Sequence, residues 1–167
     1  MAFILDENSL DLISHSERQT KRLGARLGRL LRGGEVICLE GELGVGKTRF
    51  IQGVGQGMGI TEPITSPTFI MVNEYRAAEK PLTLYHIDLY RIEKLEETYT
   101  FGLEEYLYGE GVCLIEWAEK VKMLLPPERL WVRMRYLSES KRAILMQASG
   151  ESYQALLQEF KRRAFGV

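Results

Sequence analysis

A chain of 167 residues with 45% hydrophobic side chains has enough apolar material for one packed core, and one domain spanning 1–167 is the expectation. Its 22 basic and 23 acidic residues leave a net charge of −1, so no whole-molecule field draws it to nucleic acid or an anionic membrane. Affinity for phosphate backbones comes from clustered Lys and Arg, so any RNA contact must be local or delivered by a partner. The two cysteines, Cys38 and Cys113, sit inside the apolar runs Val36–Leu39 and Val112–Ile115 and read as buried strand thiols. Neither a disulfide framework nor a zinc site fits that spacing. No basic flank followed by an apolar core opens the chain, and no apolar stretch approaches about 18 residues. A reducing cytoplasm and no membrane contact are expected.

Ser16 with Gln19 three residues on matches a capping box. Leu23, Leu27, Leu30 and Leu31 then recur at helical spacing until Gly33-Gly34 stops the run. Val36–Glu40 reads as a short apolar strand, followed at once by a glycine-rich loop. A second helix is expected from Lys47, burying Phe50, Ile51 and Val54. Its end alternates glycines at Gly53, Gly55, Gly57 and Gly59, each weakening a helix by about 1 kcal/mol, which predicts loosely held last turns. Further strands are predicted at Thr68–Tyr75, Leu82–Asp88 and Val112–Glu116, with a polar helical segment over Ile92–Tyr108. A short helix over Ala118–Leu125 ends at Pro126-Pro127. Leu130–Tyr136 and Arg142–Ala148 alternate like a hairpin around Ser138-Glu139-Ser140. A closing helix from Glu151 to Arg163 places Tyr153, Leu156, Leu157 and Phe160 on one face. This alternation of strands and helices predicts an α/β fold with a mostly parallel central sheet and a C-terminal β-hairpin.

The loop Gly41-Glu42-Leu43-Gly44-Val45-Gly46-Lys47-Thr48 has the spacing of a P-loop, between a strand and a helix as that motif requires. Gly41, Gly44 and Gly46 let the backbone curl with its N–H groups inward, where a Cβ would block a phosphate. The helix N-terminus adds partial positive charge. Lys47 suits β- and γ-phosphate oxygens and the Thr48 hydroxyl suits Mg²⁺, which points to ATP with Mg²⁺ in a three-layer P-loop NTPase fold. Asp88 and Glu116, each ending an apolar run, are the candidate acids: one near the metal and one near the attacking water. His86 shares a strand face with Asp88 and reads as a structural histidine. Trp117 reads as a packing residue beside Glu116, and Ser66-Pro67-Thr68-Phe69 falls where related enzymes place a switch segment.

Together these segments resemble the TsaE (YjeE) family of ATPases in bacterial tRNA threonylcarbamoyladenosine synthesis. The likeness rests on Gly41–Thr48, Ser66–Phe69, His86-Ile87-Asp88-Leu89-Tyr90-Arg91 and Leu114-Ile115-Glu116-Trp117, and spans roughly Ser16 to Gly150. It implies that Lys47 binds phosphate and that Thr48 and Glu116 ligate Mg²⁺. Asp88 would hold the metal's water shell or orient the nucleophilic water, and Ser66 and Thr68 would sense the γ-phosphate. The Ser16–Thr20 helix start and Arg142 would lie near the nucleotide. The resemblance also implies action on the TsaD–TsaB complex, with tRNA reached indirectly through it. A GTPase is disfavoured because no Asn/Thr-Lys-x-Asp tetrapeptide occurs. A small-molecule kinase is disfavoured by the acidic stretch Glu93, Glu96, Glu97, Glu104 and Glu105, where a lid would need arginine. A non-catalytic adaptor gated by nucleotide has the same residues.

Overall fold

The strand β3 (Val36–Glu40) is apolar from Val36 to Leu39 because both of its faces are covered. The computed structural model, which describes residues 2–67 and 71–166, sets β3 inside an eight-stranded sheet. The other strands are β1 (Ala2–Asp6), β2 (Ser9–Ser14), β4 (Val72–Arg76), β5 (Thr83–Asp88), β6 (Val112–Glu116), β7 (Arg129–Tyr136) and β8 (Arg142–Ser149). Their spatial order is β1-β2-β8-β7-β3-β6-β5-β4. The central strands β7, β3, β6 and β5 run parallel, and the flanking pairs are antiparallel. The expected parallel core and the β7–β8 hairpin are both present. The strand anticipated over Thr68–Tyr75 begins at Val72 within the described residues, and Thr68 itself lies outside them.

One face of the sheet is covered by α1 (Glu17–Gly28), α2 (Lys47–Met58) and α5 (Glu151–Phe165), burying Leu27, Phe50, Val54, Leu157 and Phe160 against Ile37, Leu39 and Leu130. The other face carries Cys38, Ile87 and Ile115 under α3 (Glu97–Thr100), α4 (Leu103–Leu107) and a 3-10 helix (Ala118–Leu124). The single helix anticipated over Ile92–Tyr108 is thus two short ones, divided where Gly102 takes φ 68°. Ser16 does cap α1: its Oγ accepts from Gln19 N at 3.0 Å, while the Gln19 side chain accepts from His15 N. Among the described residues no helix is long and apolar enough to cross a membrane.

The glycines of α2 overturn the expectation of a loose helix end. A Cβ on Gly53 would lie 2.0 Å from Lys21 O, and one on Gly57 2.1 Å from Ala25 O. From the other side, Gly24 would meet Phe50 O at 2.3 Å and Gly28 would meet Val54 O at 2.1 Å. Pairs spaced four apart on each helix therefore press two backbones together, and the propensity cost is offset by close packing rather than left as flexibility. That contact fixes α2, and with it the loop at its head.

Candidate functional site

At the head of α2, Gly46 is the N-cap, with φ 107° and no side chain to cap the helix. No acidic residue stands in the first turn, so the exposed end of the helix is left for an external anion. Gly44 takes φ 78°, a left-handed conformation that L side chains rarely adopt. Gly41 is required for a different reason: a Cβ there would come 2.8 Å from Val45 Cγ1 and 2.9 Å from Met134 O. Glycine is needed at Gly44 for backbone conformation and at Gly41 for internal space.

The acids come from the neighbouring strands. Asp88 of β5 and Glu116 of β6 are register partners in a parallel pair, so two carboxylates stand side by side at the C-terminal edge of the sheet. Glu116 is buried and held from two directions. Its Oε2 lies 2.7 Å from His86 Nε2, and its Oε1 lies 3.9 Å from Lys47 Nζ. Lys47 is 5% exposed, and its ammonium also donates to Gly41 O at 2.6 Å and faces the Trp117 ring at 4.5 Å. A lysine ammonium this buried persists only with such partners, since an unpaired buried charge is costly. His86 is a structural clamp on Glu116, as its strand position suggests; its Nδ1 has no hydrogen-bond partner among the described residues.

Asp88 is more open and accepts from Tyr90 N at 3.0 Å. Burial first, and then the neighbouring Glu116 carboxylate, push its pKa above the ordinary carboxylate value. Trp117 follows Glu116 with φ 61°, the one non-glycine residue at positive φ among the described residues, a conformation costing about 1–3 kcal/mol. The turn aims its ring at Lys47 and sets it 5.3 Å from Tyr90, whose carbonyl accepts from Lys120 Nζ. Sequence reading placed Trp117 near the site only as packing, and did not single out Tyr90; its neighbour Asp88 was the available signal.

The remaining candidates divide. Thr48 is exposed on the first turn of α2. Arg142 braces the loop from outside: its Nε donates to Val45 O at 2.8 Å and its Nη1 to Ser138 O at 2.6 Å, with its guanidinium 4.6 Å from the Tyr136 ring. With Glu17, Thr20 and Gly44 to Gly46 it lines a cavity of about 40 Å³ beside the loop, so the α1 start, the loop and Arg142 do come together. Ser66 is exposed in the connection after α2, and no hydrogen bond joins it to the loop among the described residues. Thr68 is outside those residues. Both cysteines are free and buried, and burial pushes each thiol up to about 12.

The donor set fits a triphosphate with Mg²⁺. The loop is a glycine cradle at an uncapped helix end, backed by a buried ammonium. Among the described residues no cluster of three His, Cys, Asp or Glu could cage a metal by itself. Mg²⁺ takes one or two protein ligands plus phosphate oxygens and water, so a hydroxyl such as that of Thr48 and a carboxylate such as that of Glu116 fit it chemically.

A family model described as threonylcarbamoyl adenosine biosynthesis protein TsaE matches residues 14–144. The chain is 40% identical over 144 residues to the tRNA threonylcarbamoyladenosine biosynthesis protein TsaE of Bacillus subtilis, covering 86% of this chain and 89% of that one. It is 44% identical over 132 residues to the protein of that name from Treponema pallidum, covering 79% and 96%. The crystal structure of Bacillus subtilis YdiB aligns with a TM-score of 0.80 at 34% identity, covering 98% of each chain.

Proposed function

The chain belongs to the TsaE family, and from that premise we propose that it is a Mg²⁺-dependent ATPase acting on the TsaD–TsaB complex. Its place is in tRNA threonylcarbamoyladenosine biosynthesis, the role its relatives are named for. The observation that carries the ATPase reading is the buried Lys47, held between Gly41 O, Glu116 and Trp117 at an uncapped helix end. An ammonium desolvated in this way attracts phosphate more strongly than one in water.

Each residue then has work to do. Backbone N–H groups from Gly41 to Thr48 bind phosphate oxygens, with Glu42, Leu43 and Val45 contributing only main chain. Lys47 exchanges part of its contact with Gly41 O and Glu116 for the β- and γ-phosphates. Thr48 and Glu116 hold Mg²⁺, which when bound neutralises charge on the phosphates. Asp88 orients water or holds the metal's water shell, and its raised pKa favours accepting a proton. Ser66 and Thr68 serve as the segment that senses the γ-phosphate, and Arg142 keeps the loop in shape for the nucleotide. ATP is favoured over GTP because no guanine-reading tetrapeptide is present. The whole chain acts as one cytoplasmic ATPase domain.

Phosphate release from ATP, measured with the chain alone and with TsaD–TsaB, tests this reading. Hydrolysis that is slow alone and stimulated by the complex is expected. Binding without release in either condition would assign the chain as a nucleotide-gated adaptor, and phosphate appearing on a metabolite would make it a kinase.

A further inference from the structure

The near-neutral charge of the chain conceals a separation of sign across the sheet. On the face opposite α3 and α4, helix α1 and its C-cap carry Arg18, Arg22, Arg26 and Arg29, spaced by four, four and three residues. At 3.6 residues per turn they form one stripe, with about 6 Å of rise between residues four apart. Thr20, Leu23 and Leu27, buried on the other side of the helix, leave Arg18, Arg22 and Arg29 to solvent. Arg18, Arg22 and Arg29 are exposed, while Arg26 is half-buried and its Nη1 donates to Arg163 O at 2.7 Å.

Among the described residues none of these arginines is in a salt bridge. The nearby carboxylates are already engaged. Glu17 pairs with Arg49 at 3.5 Å, Glu159 with Arg162 and Arg163, and Glu35 accepts from Arg32 N and Gly33 N. Beyond the C-terminal end of α1 the stripe runs into a cleft of about 690 Å³ against α5, lined by Arg29, Arg32, Arg163 and Ser152, with Glu35 and Glu159 at its walls.

We infer that this arginine stripe and the cleft at its end bind the phosphate backbone of RNA, giving the chain its own contact with tRNA. The inference rests on the proposed role in tRNA modification, and adds a direct contact to the indirect one through partners. Charge and chemistry favour RNA over a protein. Arginine presents a planar fork that pairs with phosphate in two bonds, and a row of such side chains on a rigid helix is the electrostatic footprint of nucleic-acid binding. A protein interface needs an apolar centre; none of the exposed large hydrophobic side chains among the described residues lies on α1, and the cleft sets Leu30, Ala155 and Leu156 among five charged residues. Tyr99 belongs to α3, Tyr108 follows α4, and the acids Glu97, Glu104 and Glu105 share those helices, on the opposite side of the sheet. The two faces suit different partners.

The test is equilibrium binding of an unmodified tRNA transcript to the full chain between about 50 and 200 mM salt, the range over which phosphate contacts weaken steeply. The native chain is expected to bind with a clear salt dependence. R22Q/R29Q should weaken binding by at least about tenfold and lower the log–log salt slope by about two, one per lost phosphate contact. R22K/R29K should keep the slope, because the charges remain. ATP binding by R22Q/R29Q, expected unchanged, shows that the fold and the nucleotide site are intact. No tRNA binding by the native chain at the lowest salt would overturn the inference, as would equal affinity and slope in R22Q/R29Q. An arginine-dependent loss of TsaD–TsaB binding with RNA affinity unchanged would assign the stripe to a protein instead. ATP binding and phosphate release are read separately, so either reading can fail while the other stands.

Discussion

The antiparallel and parallel halves of the sheet put different chemistry on the face they both turn to the α1–α2–α5 layer. In the antiparallel half, Leu10, Leu12, Ile144 and Met146 are apolar and share a core with Tyr153, Leu157 and Phe160. In the parallel half, β5 and β6 open on this face with Leu84 and Val112 but finish in His86, Asp88 and Glu116, with Lys47 buried against Glu116. One half contributes stability through burial; the other holds two carboxylates side by side and an ammonium out of water, both electrostatically unfavourable unless paired. The strained Trp117 belongs to the second half. Apolar burial and the buried charges are thus spatially separated, and the close α1–α2 contact holds the loop at the head of α2 in place.

The largest effect that tests this separation is Leu157→Ala. Leu157 is fully buried beneath the antiparallel half, so truncation should cost about 2–5 kcal/mol in denaturant unfolding. Nucleotide affinity, measured well below the unfolding transition, should not change. A parallel fall in affinity would show that the two halves are not separable.

Asp88→Asn should act in the opposite sense. The native carboxyl holds its proton more tightly than the unfolded chain does, because burial and Glu116 raise its pKa. Its contribution to stability is therefore present at low pH and is lost as pH rises from the ordinary carboxylate range through the raised value. Asn removes that limb of the pH–stability curve and should stabilise the protein at neutral pH by less than about 1 kcal/mol, given the partial exposure of the site. Hydrolysis should fall at least about 100-fold, the scale of a lost general base. Unchanged pH dependence of unfolding in this variant would remove the electrostatic account of the site.

The smallest effect concerns Cys38 and Cys113. With both thiols buried and pushed up to about 12, neither should react with a chromogenic disulfide reagent at neutral pH until the protein unfolds. Reaction in the native state would mean that the face under α3 and α4 opens.

The candidate site left more local signals in the sequence than parts of the scaffold did. Gly41–Thr48, Asp88 and Glu116 carry signals that are local in the chain: glycine spacing, and an acid ending an apolar run. What they become depends on partners far away. Lys47 meets Glu116, 69 residues later, only because β3 and β6 are neighbours in the sheet. The strands β1 and β2 escape local reading because β2 is fixed by pairing with β8 at the far end of the chain, Leu12 opposite Ile144. The alternating glycines were visible, but a single helix shows only their propensity cost. Gly24 and Gly28 on α1 supply the meaning, because two backbones must approach at the same place. Trp117 had no local sign of a left-handed conformation, which is set by the tertiary contacts of its ring.

The most direct test of the central claim is calorimetric titration of ATP, with and without Mg²⁺, into the native chain, Lys47→Ala and Thr48→Ala. If the glycine loop and the buried ammonium form the nucleotide site, Lys47→Ala should weaken binding by about 10- to 100-fold, as expected for charged hydrogen bonds. Thr48→Ala should bind ATP equally with and without Mg²⁺. Undiminished, Mg²⁺-dependent ATP binding in both variants would contradict the account.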